Sequence, residues 1–274
     1  MFAGQSKIAL ETVAQLEASI PKDLLHIQSP PMADWLEGFL SVRVHVLIRF
    51  GLWNDILDLE HPKDQKLYCV TTAMIYYAKG IAFAATGQVD EAIRERILFR
   101  EALDRVPSSR TLFNNKCVDI LAVANSMLNG ELAYHRDNFD AAFDHLLQAI
   151  ALDDSLPYDE PWAWMQPARH AYGAVLLGQG PFHKGNVEKA AAVYKADLGM
   201  DDTLPRPLRH PNNVWALHGY HECLVRLGNT ADASIVEKKL AKALEMADVT
   251  IRASCFCRRR TADEVTEGAE CCET

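Results

Sequence analysis

The chain has 274 residues, of which 49% are hydrophobic but only 8% are aromatic, and its formal net charge is −9. Acidic and basic residues are interspersed, which argues against the clustered positive surface that nucleic-acid binding needs, and no apolar stretch reaches the roughly 20 residues that span a bilayer. Seven cysteines, mostly spread singly through helical segments, argue against a disulfide framework. We therefore predict a cytoplasmic protein with no nucleic-acid or membrane partner.

The hydrophobic pattern is helical almost throughout. Apolar residues recur at three- and four-residue spacings, and Gly or Pro separates the segments at regular intervals. No convincing run of alternating β-branched residues is present, so we expect strand content close to zero. The predicted helices span residues 3–19, 33–50, 67–86, 89–104, 111–135, 139–152, 163–179, 186–197, 212–227 and 231–248.

Small residues recur at fixed spacings within these helices. Gly130 and Ala142 lie twelve residues apart, as do Gly80 and Ala92, and Gly87 stands where the first helix of the earlier pair must end. Small side chains at these points let two antiparallel helices approach closely. The period, near 34 residues, resembles that of the tetratricopeptide repeat. The alternative is an ordinary helical bundle whose glycines coincide by chance.

The resemblance implies an all-α fold, a right-handed solenoid of about five helical hairpins. Within the fourth hairpin, residues 181–184 are interpreted as an insertion. Three further segments resemble one family of microbial and fungal tetratricopeptide-repeat proteins, which has no firmly assigned reaction: LPYDEPW at 156–162, NVWALHGYHE at 213–222 and ASCFC at 253–257.

This resemblance covers about residues 1–257, the predicted repeat domain. Family members are longer and carry a His-rich helical stretch before the matching part, so we expect this chain to be a shortened product or a domain fragment. Residues 258–274 are acidic and polar, which predicts a disordered tail.

In repeats of this kind, fixed positions of each first helix line a concave groove, and the glycines set their register here. The resemblance implies a binding module whose groove holds a peptide, a partner protein or a small molecule. The predicted groove residues are Tyr77, Glu131, Tyr134, His135, Trp215 and Arg226.

The same register places three histidines, His45, His170 and His218, on the concave face near Glu131 and Glu222. Imidazoles and carboxylates are common ligands of zinc, copper and iron. The alternative function is therefore a metal-dependent protein or enzyme with these groups as ligands. The competing interpretation is that they hydrogen-bond one another and water, as polar groove residues commonly do.

A second metal candidate is the pair Cys255 and Cys257. Two thiolates one residue apart on an extended segment point to the same side, and can hold a soft metal or form a disulfide. The pair follows the last predicted helix directly, so it could fold back over the groove. The alternative is a surface cysteine pair without a role.

Two acidic residues, Asp159 and Glu160, lie in a loop between prolines. They suit an acid–base pair at the mouth of the groove. We favour the other interpretation, in which this loop is a rigid linker between repeats and its Trp162 and Trp164 pack on the next helix pair.

Overall fold

The computed structural model of the protein describes residues 1–179 and 183–258. Residues 180–182 and 259–274 lie outside the described residues, and with them half of the predicted insertion and nearly all of the predicted tail. No described helix has the length and apolar character needed to cross a membrane. The helices are α1 (Ser6–Ala18), α2 (Lys22–Leu25), α3 (Met32–Leu36), α4 (Val42–Arg49), α5 (Trp53–Leu57), α6 (Cys69–Ala85), α7 (Val89–Leu103), α8 (Cys117–His135), α9 (Phe139–Ser155), α10 (Ala168–Leu177), α11 (Lys184–Asp197), α12 (Val214–Arg226) and α13 (Thr230–Leu244). Short 3-10 helices span Glu37–Ser41 and Arg206–Leu208, and two-residue strands β1 (Thr111–Leu112) and β2 (Asn115–Lys116) form one antiparallel hairpin.

The predicted all-α class is confirmed, and the differences are local. The predicted helix 33–50 is interrupted by the 3-10 helix, and the predicted helix 111–135 begins only at Cys117, after the β-hairpin. Phe113 adopts a left-handed φ of 50° in the hairpin turn, a backbone conformation that no helix can contain. The prediction of a helix from 163 is also wrong at its start, since α10 begins at Ala168, whose amide donates to the Asp153 carboxylate at 3.1 Å.

The long helices pack as hairpins: α6 with α7, α8 with α9, α10 with α11 and α12 with α13. The predicted close approach of α8 and α9 is confirmed, because Ala142 is fully buried and a Cβ on Gly130 would come within 2.8 Å of the Leu146 side chain. Asparagine side chains cap three helices: Asn138 accepts from the Ala141 amide at the start of α9, and equivalent caps begin α12 and α13.

The N-terminal residues pack against the last helical hairpin and the residues that follow it. The Val214 amide donates to the Phe2 carbonyl at 3.1 Å, and the Trp215 indole donates to the Met1 carbonyl at 3.0 Å. The Asp248 carboxylate accepts the first backbone amides of α1 at 2.6 and 2.9 Å. An open row of hairpins would keep its first and last units apart. Here those units touch, so the inner face is enclosed.

Candidate functional site

The enclosed face is filled by residues 251–258, which we call the C-terminal segment. Ser254 is its best-anchored residue: its carbonyl accepts from the Arg49 guanidinium at 3.0 Å, and its hydroxyl donates to the His170 carbonyl at 2.7 Å. Ser254 is 1% exposed. The groove predicted to hold a ligand therefore holds a part of its own chain, as the position of the cysteine pair after the last helix suggested.

A tyrosine from the outer helix α11 reaches this segment between two inner helices. The Tyr194 ring lies between Gly173 of α10 and Gly219 of α12, where a Cβ on either glycine would overlap it. The Tyr194 hydroxyl contacts the Ser254 hydroxyl, which already donates its only proton to a carbonyl, so Tyr194 is the donor. The glycines thus open a path from the outer layer to the groove.

A small cavity remains between the C-terminal segment and the helices. Its volume is about 10 Å³, close to the space of one water molecule. Glu131, Cys255 and Cys257 line it, and their ligand atoms all lie within 4.8 Å of one another. The two thiol sulfurs are 2.7 Å apart. Within residues 1–179 and 183–258, no other three His, Cys, Asp or Glu side chains come together in this way.

Glu131 is the unusual member of this cluster. It is 1% exposed, and neither of its carboxylate oxygens has a hydrogen-bond partner of normal geometry. The His135 Nε2 lies 3.7 Å away. Burial raises the pKa of Glu131 to about 7, although the neighbouring Cys257 thiol opposes this. The hydrogen bond with Cys255, together with burial, raises the pKa of Cys257 well above its ordinary value.

Arg49 supplies the positive charge beside the cluster. Its guanidinium is buried, stacks over the Trp215 ring at 4.9 Å, and lies close to both thiols and to Asp197, which favour its charged form against the cost of burial. Arg49 also lies 3.3 Å from His170 Nδ1. Since a guanidinium only donates, His170 Nδ1 accepts, and its Nε2 carries the proton donated to Asp197 at 2.9 Å.

His170 is therefore not placed to bind a metal ion, because both ring nitrogens are engaged. Burial lowers its pKa to about 4 despite the attraction of Asp197, so the ring is neutral. For Asp197, burial alone would raise the pKa, but His170 and His210 hold it below the ordinary range. The His210 Nδ1 and the Asn213 amide lie 2.7 and 3.0 Å from the carboxylate. This network ties α10, α11 and α12 together.

The predicted histidine site is not formed. His45 is 2% exposed and packs edge-on against the Trp164 ring at 4.8 Å; burial lowers its pKa to about 3. Neither His45 nor His218 lines the cavity, and they do not converge with His170. The C-terminal segment occupies the space in which these side chains were expected to meet. Of the predicted ligands, the structure brings together only Glu131, Cys255 and Cys257.

The remaining predicted residues serve packing or ion pairs. Glu222, predicted as a metal ligand, accepts from Arg226 within α12 and from Arg258 of the C-terminal segment at 2.9 and 3.0 Å. Arg258, assigned from sequence to the disordered tail, is buried with the folded part. Among the groove residues, Tyr77 lines the cavity, whereas Tyr134 packs against Phe139.

Sequence reasoning missed Tyr194, Asp197 and Ser254. Tyr194 and Asp197 belong to no recognisable motif, Ser254 lies within the ASCFC segment, and their partners lie 13 to 205 residues away. The only available signal was the pair of glycines, Gly173 and Gly219, within predicted helices. These glycines also make room for the Tyr194 ring, which depends on how the three helices pack and cannot be seen in the sequence.

A second cavity, of about 230 Å³, lies beside the loop that precedes α10. The acid–base interpretation of Asp159 is not supported, since its carboxylate accepts from Asn114 and Asn115 at 2.9 and 2.6 Å and so holds the β-hairpin. The favoured linker interpretation fits this contact. The cavity lining includes Tyr158, Trp162, Trp164, Pro157, Pro167, Pro205, Pro207, Asp153, Arg169 and His210.

Comparisons with protein families, curated proteins and solved structures found no match to this chain. The functional argument therefore depends on the geometry of the site alone.

Proposed function

We propose that this protein binds a divalent transition-metal ion, zinc being the best fit, through Glu131, Cys255 and Cys257. The observation that carries the proposal is the buried Glu131 carboxylate, which lacks a hydrogen-bond partner of normal geometry and lies with two thiols beside one small cavity. A buried acidic group without a partner is costly, and a bound cation would remove that cost.

The donor set suits zinc. Zinc accepts thiolate, imidazole and carboxylate ligands, and sites with three protein ligands keep a fourth position for water or substrate. The charges also balance. Two thiolates and one carboxylate carry three negative charges and the Arg49 guanidinium carries one positive charge, so a divalent ion cancels the net negative charge that remains. Bound at about 2.3 Å to a tetrahedral ion, two sulfurs stand about 3.8 Å apart. Binding would therefore separate the thiols from their present 2.7 Å.

The proposal includes a tetratricopeptide-like solenoid as the scaffold. Successive hairpins that pack on one another, with small residues at the crossing of α8 and α9, support this arrangement. In such a scaffold the concave groove is the binding surface. A peptide or partner protein would have to displace the C-terminal segment to use it. A reducing compartment, such as the cytoplasm, would keep both thiols available to the ion.

A second candidate function is binding of a small organic molecule in the 230 Å³ cavity. Three aromatic rings and several prolines form its wall, and a few polar groups, Asp153, Arg169 and His210, face the same space. Concave aromatic cavities with few convergent polar groups are typical of small-molecule sites. The Asp154 carboxylate accepts two hydrogen bonds from Arg169 at 2.5 Å, which would fix the guanidinium for a ligand.

The metal proposal is tested on reduced protein in which Cys271 and Cys272 are replaced by Ser, so that the terminal thiols do not contribute. We expect about one zinc ion per chain by elemental analysis after dialysis. Cobalt substitution should give the sulfur-to-cobalt absorption of a two-thiolate site. Cys257→Ser should abolish binding, and Glu131→Gln should weaken it while leaving the thiolate absorption.

Cys69→Ala provides the matched control, since it also removes one buried thiol but lies outside the cluster. If this variant lost zinc as completely as Cys257→Ser, binding would not depend on the proposed ligands. Unchanged helicity by circular dichroism is required of every variant compared.

A further inference from the structure

The two thiols of the cluster have different access to solvent. Cys255 is half-buried and lines both the inner cavity and an open surface pocket of about 580 Å³. Cys257 is 3% exposed and lines only the inner cavity of these two. Its amide also donates to the Cys255 sulfur at 3.4 Å. A reagent arriving from solvent therefore meets Cys255 first, with Cys257 directly behind it.

The outer pocket has the character of an anion site with apolar walls. Phe50, Trp53 and Phe256 supply rings, and Arg252 and Arg258 supply positive charge. Arg258 is buried and engaged with Glu222, whereas Arg252 is exposed. An exposed arginine beside a half-buried sulfur favours a small disulfide that carries carboxylates, of which glutathione disulfide is the common representative.

We infer that the metal-free protein exchanges thiol for disulfide with small anionic disulfides, with Cys255 as the attacking residue and Cys257 as the resolving residue. The inference shares the site of the proposed function but needs no metal. Its consequence is regulatory, because a Cys255–Cys257 disulfide removes two of the three proposed ligands and prevents the ion from binding.

The exchange proceeds in two balanced steps. The Cys255 thiolate attacks one sulfur of the small disulfide, a mixed disulfide forms, and the first small thiolate leaves. The Cys257 sulfur, already in contact with the Cys255 sulfur, then attacks it and displaces the second small thiolate. The two protons of the protein thiols end on the two released small thiols, so the small disulfide is reduced and the protein pair is oxidised.

Mass spectrometry of the reduced, metal-free chain mixed with glutathione disulfide tests the order of attack. In the background lacking Cys271 and Cys272, we expect an intramolecular disulfide with no lasting adduct. Cys257→Ser should accumulate one glutathione on Cys255. Cys255→Ser should react with glutathione disulfide at least about tenfold more slowly, because its remaining thiol, Cys257, is buried. Equal adduct formation in both single variants would overturn the inference, as would no adduct in Cys257→Ser.

The outer pocket has its own test. Arg252→Glu should slow the reaction with glutathione disulfide severalfold, yet leave the rate with the neutral 2-hydroxyethyl disulfide unchanged. Arg105→Glu is the matched control, since that arginine is exposed but does not line the pocket. Equal slowing by both substitutions would mean that only net charge matters, and the assigned pocket would be wrong.

Failure of the two proposals is distinguishable. Zinc should protect the thiols from glutathione disulfide if both hold. Trapping on Cys255 without zinc binding supports the exchange and refutes the metal site, and zinc binding without trapping does the reverse. If Cys257→Ser loses helicity, Cys257→Ala repeats the trapping, since alanine replaces the buried thiol with a smaller apolar side chain.

Discussion

The middle of the chain and the two ends of its described part are built on different principles. Helices α6 to α9 form two hairpins in which small residues meet at crossings and apolar side chains fill the space between. The ends, residues 1–5 and 251–258, have little regular structure, yet they are fixed by hydrogen bonds to partners far along the chain. Arg49 and Ser254, for example, are 205 residues apart.

The difference shows where the candidate chemistry comes from. Regular packing in the middle provides a wall that carries Glu131, and the irregular C-terminal segment brings both thiols to it. A helix would place side chains at the fixed angular spacing of its turn, whereas this segment brings both sulfurs to the inner cavity and lets Cys255 also reach the outer pocket. The site therefore lies at the boundary between the two kinds of structure.

The largest expected effect comes from removing Arg49, the buried cation that holds the C-terminal segment. Arg49→Met leaves the Ser254 carbonyl and His170 without their donor, and a buried charge network that loses one partner costs about 3–5 kcal/mol. We expect that loss in the free energy of unfolding by chemical denaturation. Hydrogen exchange should show the C-terminal segment losing protection while α8 and α9 keep theirs.

Arg43→Met is the appropriate control, because the Arg43–Glu17 pair is about 30% exposed and such pairs contribute at most about 1 kcal/mol. If the Arg49 variant lost protection equally in the middle and at the ends, the division between the two regions would fail.

A smaller effect should come from the middle itself. Ala142→Leu would overpack the crossing of α8 and α9 beside Gly130, at a cost of roughly 1–3 kcal/mol in the free energy of unfolding. Ala151→Leu, on the exposed side of the same helix α9, should change it by less than about 0.5 kcal/mol. Urea titration of both variants compares them directly, and equal stabilities would show that the assigned crossing is wrong.

The most subtle effect is the dependence of stability on pH. The folded pKa of His45, about 3, lies below its ordinary 6.5, so only the unfolded chain takes up a proton as pH falls below 6.5. His45 should then destabilise the fold by up to about 1.4 kcal/mol for each further pH unit. Glu131 has the opposite sign, because its folded pKa of about 7 exceeds its ordinary 4.5. The stability that Glu131 contributes to the fold is fully present below pH 4.5 and is lost as the pH rises through 7.

The measurement is the unfolding free energy of metal-free wild type minus that of each variant between pH 7 and 5. For His45→Gln this difference should fall as pH falls, and for Glu131→Gln it should rise. Parallel slopes for the two variants would contradict the assigned burial of one of them.

The sequence predicts the regular helical regions and misses features that depend on distant parts of the chain. Periodicity and turn residues identified the long helices, and Gly130 with Ala142 identified a crossing, because these features arise from neighbours on the same helix or hairpin. The 3-10 helix at 37–41 and the β-hairpin at 111–116 were not predicted. The hairpin depends on Asp159 from another loop, a contact that the local sequence pattern does not show. The expected meeting of His45, His170 and His218 was wrong because the register cannot show that the C-terminal segment occupies their space. The cysteine pair and Glu131 were each predicted as possible metal ligands, but their meeting in one cluster was not predicted.

The passage of Tyr194 between Gly173 and Gly219 has a consequence for biosynthesis. The ring contacts residues of α10 and α12 and touches Ser254, so its final position exists only after all three are in place. Ribosomes deliver Glu131 and the helices around it well before Cys255 and Cys257. During translation, the thiols and the carboxylate thus stay apart until the last described residues emerge, and a chain stalled earlier would present neither a metal cage nor a reactive dithiol.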